Sequence, residues 1–130
     1  MKPPPERLSR HQRALVTTAL EDLDCAVIYL FGSFGGPAEH PQSDIDIAFL
    51  PSSPVDPLDC FGIANALADQ LGRSVDLIDL KRSSTVLAKE VLRTGTPLLV
   101  TDPACQQDFE MRVLADYARL NEERQPVLAV

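Results

Sequence analysis

The chain has no tryptophan, and aromatic residues are only 5% of its 130 positions. A core without large rings must rest on Leu, Val, Ile and Ala, and apolar residues supply 45% of the sequence, enough to fold. Positive charge is also short: 12 Lys and Arg stand against 19 Asp and Glu, a net charge of −7. Tracking a phosphate backbone needs the opposite balance, so nucleic acid is disfavoured as a direct partner, a local basic patch aside. Cysteines number three, Cys25, Cys60 and Cys105, widely spaced and without a Cys-x-x-Cys pair. That pattern reads as reduced, buried thiols in a cytosolic protein. No run approaches the eighteen or so apolar residues of a membrane span. The opening MKPPPERLSRHQ has no apolar core, so no signal peptide is expected. There are no internal repeats. The length fits one domain. We place it at 9–125, after a flexible leader at 1–8 and before a tail at 126–130.

What is present alternates between helical and strand patterning. Leu15, Val16, Ala19, Leu20 and Leu23 mark one face of a first helix that begins near Ser9. Ala26 to Phe31 is a continuous apolar run of strand length, suited to burial on both faces. Residues 32–43 hold three Gly and two Pro and must form a turn and an irregular loop. Asp44 to Leu50 is a second strand. Asp56-Pro57 reads as a helix cap followed by proline at the first helical position. The expected helix carries Leu58, Phe61, Ala64, Leu67, Ala68 and Leu71 along its core side and closes at Gly72. Ser74 to Leu80 is a third strand. Ser83 or Ser84 caps a short helix with Val86, Leu87, Val91 and Leu92, closed by Gly95. Thr96 to Val100 is a fourth strand. Asp102-Pro103 starts a last helix, with Phe109, Val113, Tyr117 and Leu120 at helical spacing, which should end near Arg124, before Pro126. The fold class is α/β (α+β), strands and helices interleaved in one layered structure.

The chemistry concentrates in 27–50, VIYLFGSFGGPAEHPQSDIDIAFL. After the first strand, Gly32 lets the backbone approach a ligand closely. Successive N–H groups in such a turn can cradle phosphate oxygens, with the Ser33 hydroxyl adding a donor. Gly-Ser turns are common, so this pair alone says little. Asp44 and Asp46 lie two apart on a strand and share a face, while Ile45, Ile47 and Phe49 take the other. Two such carboxylates, roughly 7 Å apart, repel unless a cation lies between them. A solvated edge would also tolerate them, but their apolar neighbours mark a buried strand. A divalent ion is the better reading, and Mg²⁺ the natural one: it is hard and takes one or two carboxylates plus phosphates and water. Asp76, in the middle of SVDLIDL, can join the pair if the second and third strands are neighbours. Asp79, three residues on, faces the other way and reads as a strand-end or capping residue. Three convergent carboxylates beside a phosphate-binding turn describe phosphoryl or nucleotidyl transfer with two metal ions. His11 and His40 belong to no ligand-spaced cluster.

Gly32-Ser33, ten residues, then Asp44-Ile45-Asp46 resembles the signature of the DNA polymerase β-like nucleotidyltransferases. The chain's size is similar to that of their minimal members, the MNT proteins. The resemblance implies their fold, a small mixed sheet of about four strands flanked by helices. It implies that Gly32 and Ser33 hold a nucleoside triphosphate, that Asp44 and Asp46 bind two Mg²⁺, and that Asp76 is the third acid. Minimal members commonly act as antitoxins, so it also implies transfer of AMP from ATP to a tyrosine hydroxyl of a HEPN ribonuclease toxin. One departure stands out. Where such proteins often read Gly-Ser-aromatic-Ala-Arg-Gly, this chain has Gly32-Ser33-Phe34-Gly35-Gly36-Pro37. The arginine is replaced by Gly36, leaving Lys81, Arg82 or a partner residue as candidate substitutes. Two other functions remain open: an antitoxin that neutralises by binding alone, and a small-molecule nucleotidyltransferase of the aminoglycoside-modifying type.

Overall fold

The computed structural model describes residues 8–32 and 44–128, with side chains to 123. Ser9 opens helix α1 (Arg10–Leu20) with a reciprocal cap. Its hydroxyl accepts the Gln12 N–H at 3.1 Å, and the Gln12 side chain accepts the Ser9 N–H at 2.9 Å. A single 3-10 turn (Glu21–Leu23) ends at Asp24, whose φ of 50° turns the chain into strand β1 (Cys25–Phe31). Strand β2 (Ile45–Pro51) follows, then α2 (Pro57–Leu71), β3 (Val75–Asp79), α3 (Thr85–Thr94), β4 (Thr96–Val100) and α4 (Pro103–Leu128).

The four strands form one mixed sheet in the order β3-β2-β1-β4. β1 lies antiparallel to both β2 and β4, and β2 runs parallel to β3. This is the small mixed sheet with flanking helices that the resemblance implied. All seven β1 residues are buried. Alternation sorts the side chains onto two faces. Ile28, Leu30, Ile45, Ile47 and Phe49 pack with Val16 and Leu20 of α1 and Leu67 of α2. Val27, Tyr29, Phe31, Ala48 and Leu50 pack with Ala88 and Val91 of α3 and Val113 of α4. The sheet is therefore the middle of three layers.

Local capping followed the sequence. The Asp56 carboxylate accepts the Leu58 N–H at 2.8 Å, and Gly72 closes α2 in the left-handed region. Ser84, of the two candidates, caps α3 through the Leu87 N–H at 3.1 Å. Asp102 accepts the Cys105 N–H at the start of α4. Asp79 takes the capping role expected of it, accepting the Lys81 N–H at 2.9 Å.

Four details differ from the sequence reading. The core side of α2 is Cys60, Ile63, Leu67 and Leu71, while Leu58 and Phe61 face outward. That helix is apolar on two sides, and only contact with the sheet decides between them. In α3, Val86 is exposed and Ala88 takes its place inside. α4 continues past Pro126 to Leu128. The fixed φ of proline is itself helical, and so near a helix end its missing N–H removes a single bond. Of the three thiols, all free, Cys25 is buried, Cys60 half-buried and Cys105 exposed rather than buried. Burial, with Asp24 and Asp79 nearby, pushes the Cys25 thiol up to about 12.

Candidate active site

The register of the sheet places the acidic residues. Phe31 of β1 pairs with Asp46 of β2, and Asp46 pairs with Asp76 of β3. Directly paired residues share a face, so Phe31, Asp46 and Asp76 form a row across three strands, on the side of the sheet covered by α3 and α4. The next row inward on that face is Tyr29, Ala48 and Ile78, all apolar apart from the tyrosine hydroxyl. The carboxylates thus continue an apolar face at the point where it reaches the sheet's end. Asp76 is exposed and Asp46 half-buried. Asp44 sits one residue before β2, exposed, and the Ile45 N–H beside it bonds the Ser74 carbonyl at 2.9 Å.

Gly32 follows β1 directly and has φ +80°, a region that side chains avoid. The reason lies across the strand pair. A Cβ at Gly32 would stand 2.3 Å from Asp46 Oδ2. The glycine leaves room for the carboxylate itself. Sequence reasoning anticipated a close backbone approach here, but toward a ligand. The Gly32 N–H points to the Thr94 hydroxyl at 3.5 Å, which in turn donates to the Glu90 carbonyl at 2.9 Å. Thr94, the last residue of α3, was not foreseen; only its place before the helix-closing Gly95 hinted at it. Gly95 is equally constrained, since a Cβ there would meet the Val91 carbonyl oxygen at 2.3 Å and Phe31 Cβ at 3.5 Å. The end of α3 is therefore pressed against the end of β1, where the Gly32 turn begins.

Ser33, Gly35, Gly36, Pro37 and His40 lie outside the described residues. Lys81 and Arg82 do not take the place of the missing arginine. Both follow the far end of β3 from Asp76; Lys81 Nζ donates to the Ser52 carbonyl at 3.1 Å, and Arg82 pairs with Asp79. A cavity of about 680 Å³ also opens at that far end, lined in part by Asp24, Lys81, Thr101 and Phe109, and includes none of Gly32, Asp44, Asp46 and Asp76.

The donor set at the acidic end fits a hard cation. Asp44, Asp46 and Asp76 offer only carboxylate oxygens, and Asp46 and Asp76 sit side by side on adjacent strands. Strand spacing puts their backbones roughly 5 Å apart, so their repulsion is on the order of 1 kcal/mol at a solvent-exposed edge. Among the described residues, no three acidic, His or Cys side chains close into a finished metal cluster. An open set is what Mg²⁺ uses, completing its octahedron with phosphate oxygens and water.

Comparison with known proteins follows the same lines. Residues 15–104 match the family model for "Polymerase beta, Nucleotidyltransferase". The protein adenylyltransferase MntA of Shewanella oneidensis is 39% identical over 105 residues, covering 78% of this chain and 73% of MntA. A toxin–antitoxin crystal structure with AMP-PNP contains a chain that superposes with a TM-score of 0.77 at 35% identity, covering 90% of this chain and 95% of that one. A structure of the tri-AMPylated Shewanella oneidensis HEPN toxin in complex with its MNT antitoxin gives 0.79 at 31% identity, covering 94% and 97%. The fold, the row of carboxylates and these likenesses lead to one statement: this chain belongs to the polymerase β nucleotidyltransferase family.

Proposed function

We propose that the chain is a minimal nucleotidyltransferase antitoxin that transfers AMP from ATP to a tyrosine hydroxyl of a HEPN ribonuclease toxin and so neutralises it. The observation that carries this reading is the row made by Asp46 and Asp76 beside Gly32. Its support from outside the chain is the likeness to MntA and to antitoxins solved with AMP-PNP or with an AMPylated toxin. In the transfer, the tyrosine oxygen forms a bond to the α-phosphorus as the bond to the departing pyrophosphate breaks. The hydroxyl proton passes to a carboxylate or to water. Asp76, exposed at the edge strand, is the acid best placed to meet an incoming acceptor. Asp46, held against Gly32, faces the turn where Gly32 and Ser33 would hold the triphosphate. Asp44, Asp46 and Asp76 would hold Mg²⁺, which when bound supplies positive charge against the triphosphate and lowers the pKa of the acceptor hydroxyl. The setting is the cytoplasm; among the described residues no helix is long and apolar enough to cross a membrane.

Intact-mass measurement of the HEPN partner after incubation with the chain, ATP and Mg²⁺ tests the reading. A gain of one or more AMP units is expected with the native chain, and none after Asp44→Asn with Asp46→Asn. One observation favours a second reading. With Gly36 in the arginine position and Lys81 and Arg82 engaged elsewhere, the protein would neutralise its partner by covering it. Toxin neutralisation that survives intact in the double Asn variant would establish that reading and end the enzymatic one.

A further inference from the structure

The outer flank of β3 takes no part in the chemistry above. Among the described residues β3 ends the sheet, with β2 as its one strand neighbour. Beside it a groove of about 280 Å³ opens between the N-terminal parts of α2 and α3, its wall mostly apolar (Val55, Pro57, Cys60, Leu77, Ile78 and Leu87) with Arg82 and Ser83 as polar members. The residues adjoining three of these in sequence are large, apolar and exposed: Leu58 (78%) next to Pro57, Phe61 (66%) next to Cys60, and Val86 (49%) next to Leu87. Phe61 follows Pro57 by one helical turn and so lies on the same side of α2; an apolar groove beside such a side chain has the makeup of a protein interface core.

Asp79, also lining the groove, makes it more than an apolar surface. Its side chain is only 8% exposed. One oxygen accepts the Lys81 N–H, but the other, Oδ2, is buried and has no hydrogen-bond donor among the described residues. Arg82 Nε stands 3.8 Å from it, outside hydrogen-bond range. A buried carboxylate oxygen without a donor is unfavourable, and native structures rarely leave one so. Arg82 itself lines the groove, but at that distance it gives Oδ2 no hydrogen bond, and Pro57–Leu71 on the other side carries no Lys or Arg. The groove therefore matches an apolar segment that also brings a cationic donor.

We propose that this groove docks the protein that accepts AMP, taking an apolar side chain flanked by a Lys or Arg that reaches Asp79. The proposal rests on the reading of the acceptor as a protein. Leu77 lines the groove one residue along β3 from Asp76, on the opposite face of the strand. Strand geometry puts Asp79 roughly 10 Å along β3 from that acid. A partner seated there holds its hydroxyl within reach of the acidic row and makes transfer effectively intramolecular.

The experiment is calorimetric titration of the full chain with its cognate HEPN protein, without nucleotide, alongside AMP-PNP titration and intact-mass assay of transfer. Leu58→Glu and Phe61→Glu change exposed residues, so the fold is retained; each should weaken partner binding at least tenfold. Asp79→Asn, nearly isosteric and still able to accept the Lys81 N–H, should weaken it at least fivefold. AMP-PNP affinity should stay within twofold in these three variants, and Asp46→Asn should keep partner binding while losing transfer. Partner binding within twofold of native in both Phe61→Glu and Asp79→Asn would overturn the proposal. So would sedimentation showing that the isolated chain is a dimer that Phe61→Glu dissociates, which would assign the groove to a second copy. Groove-dependent binding with no AMP on the partner would support the docking site and count against the transfer reading alone.

Discussion

At Gly32 the space of a missing side chain is filled by a carboxylate oxygen. Any L-residue there meets two penalties, a left-handed φ worth about 1–2 kcal/mol and a collision with Asp46 Oδ2. Gly32→Ala is therefore expected to move Asp46 as well as strain the turn. The melting temperature should fall by a few degrees. AMP transfer should fall about 100-fold or more, far beyond what the lost stability explains; calorimetry and a transfer assay on the same sample separate the two. The opposite balance is expected at Asp76. Asp76→Asn keeps the shape and removes a charge from beside Asp46, so without metal the variant should melt no lower than the native chain. Transfer should nonetheless fall at least 100-fold. A drop in melting temperature of several degrees would mean that Asp76 holds the fold rather than the substrate.

Helix α4 is fixed to the sheet by a polar contact inside an apolar layer. The hydroxyl of Tyr29, a residue 2% exposed, donates to Glu110 at 2.7 Å, and Gln106 donates to both from 3.4 Å. Burial, and then the hydrogen bond to Glu110, push the phenol well above its ordinary value. A raised pKa makes the neutral form the folded one. This stabilisation is complete below about pH 10, the unfolded value, and is lost as pH rises beyond it. Tyr29→Phe should cost about 1.5 kcal/mol at neutral pH. It should also flatten the fall in melting temperature above about pH 10, and a pH series of melts on both proteins checks this. Features set by near neighbours in sequence were legible: the caps at Asp56, Gly72 and Ser84 each depend on a few adjacent residues. Asp76 could be aligned with Asp46 only on condition that β3 lay beside β2, and strand order is a long-range outcome. The contacts of Gly32 with Asp46 and Thr94 join segments far apart in the chain, and no local pattern encodes them. The outward turn of Leu58 and Phe61 was hidden for a related reason: α2 has two apolar stripes, and the sheet has room for one.

The molecule as a whole spends its helices on covering the sheet. α1 and α2 pack on one face, α3 and α4 on the other, and Asp44 and Asp76 remain exposed at the sheet's end. Nucleotidyl transfer needs its acceptor hydroxyl held within bonding range of the α-phosphorus, and that positioning supplies much of the rate. On the reading of the acceptor as a protein, docking of the folded partner supplies that positioning, which an aminoglycoside or another freely diffusing acceptor would lack. With labelled ATP and Mg²⁺, label should enter the HEPN partner and leave kanamycin unmarked even at millimolar drug. Unfolding the partner should abolish the labelling although its tyrosines become more exposed, because the docking geometry is lost. Equal labelling of native and unfolded partner would mean that exposure of a hydroxyl suffices, and the dependence on a folded acceptor would fail.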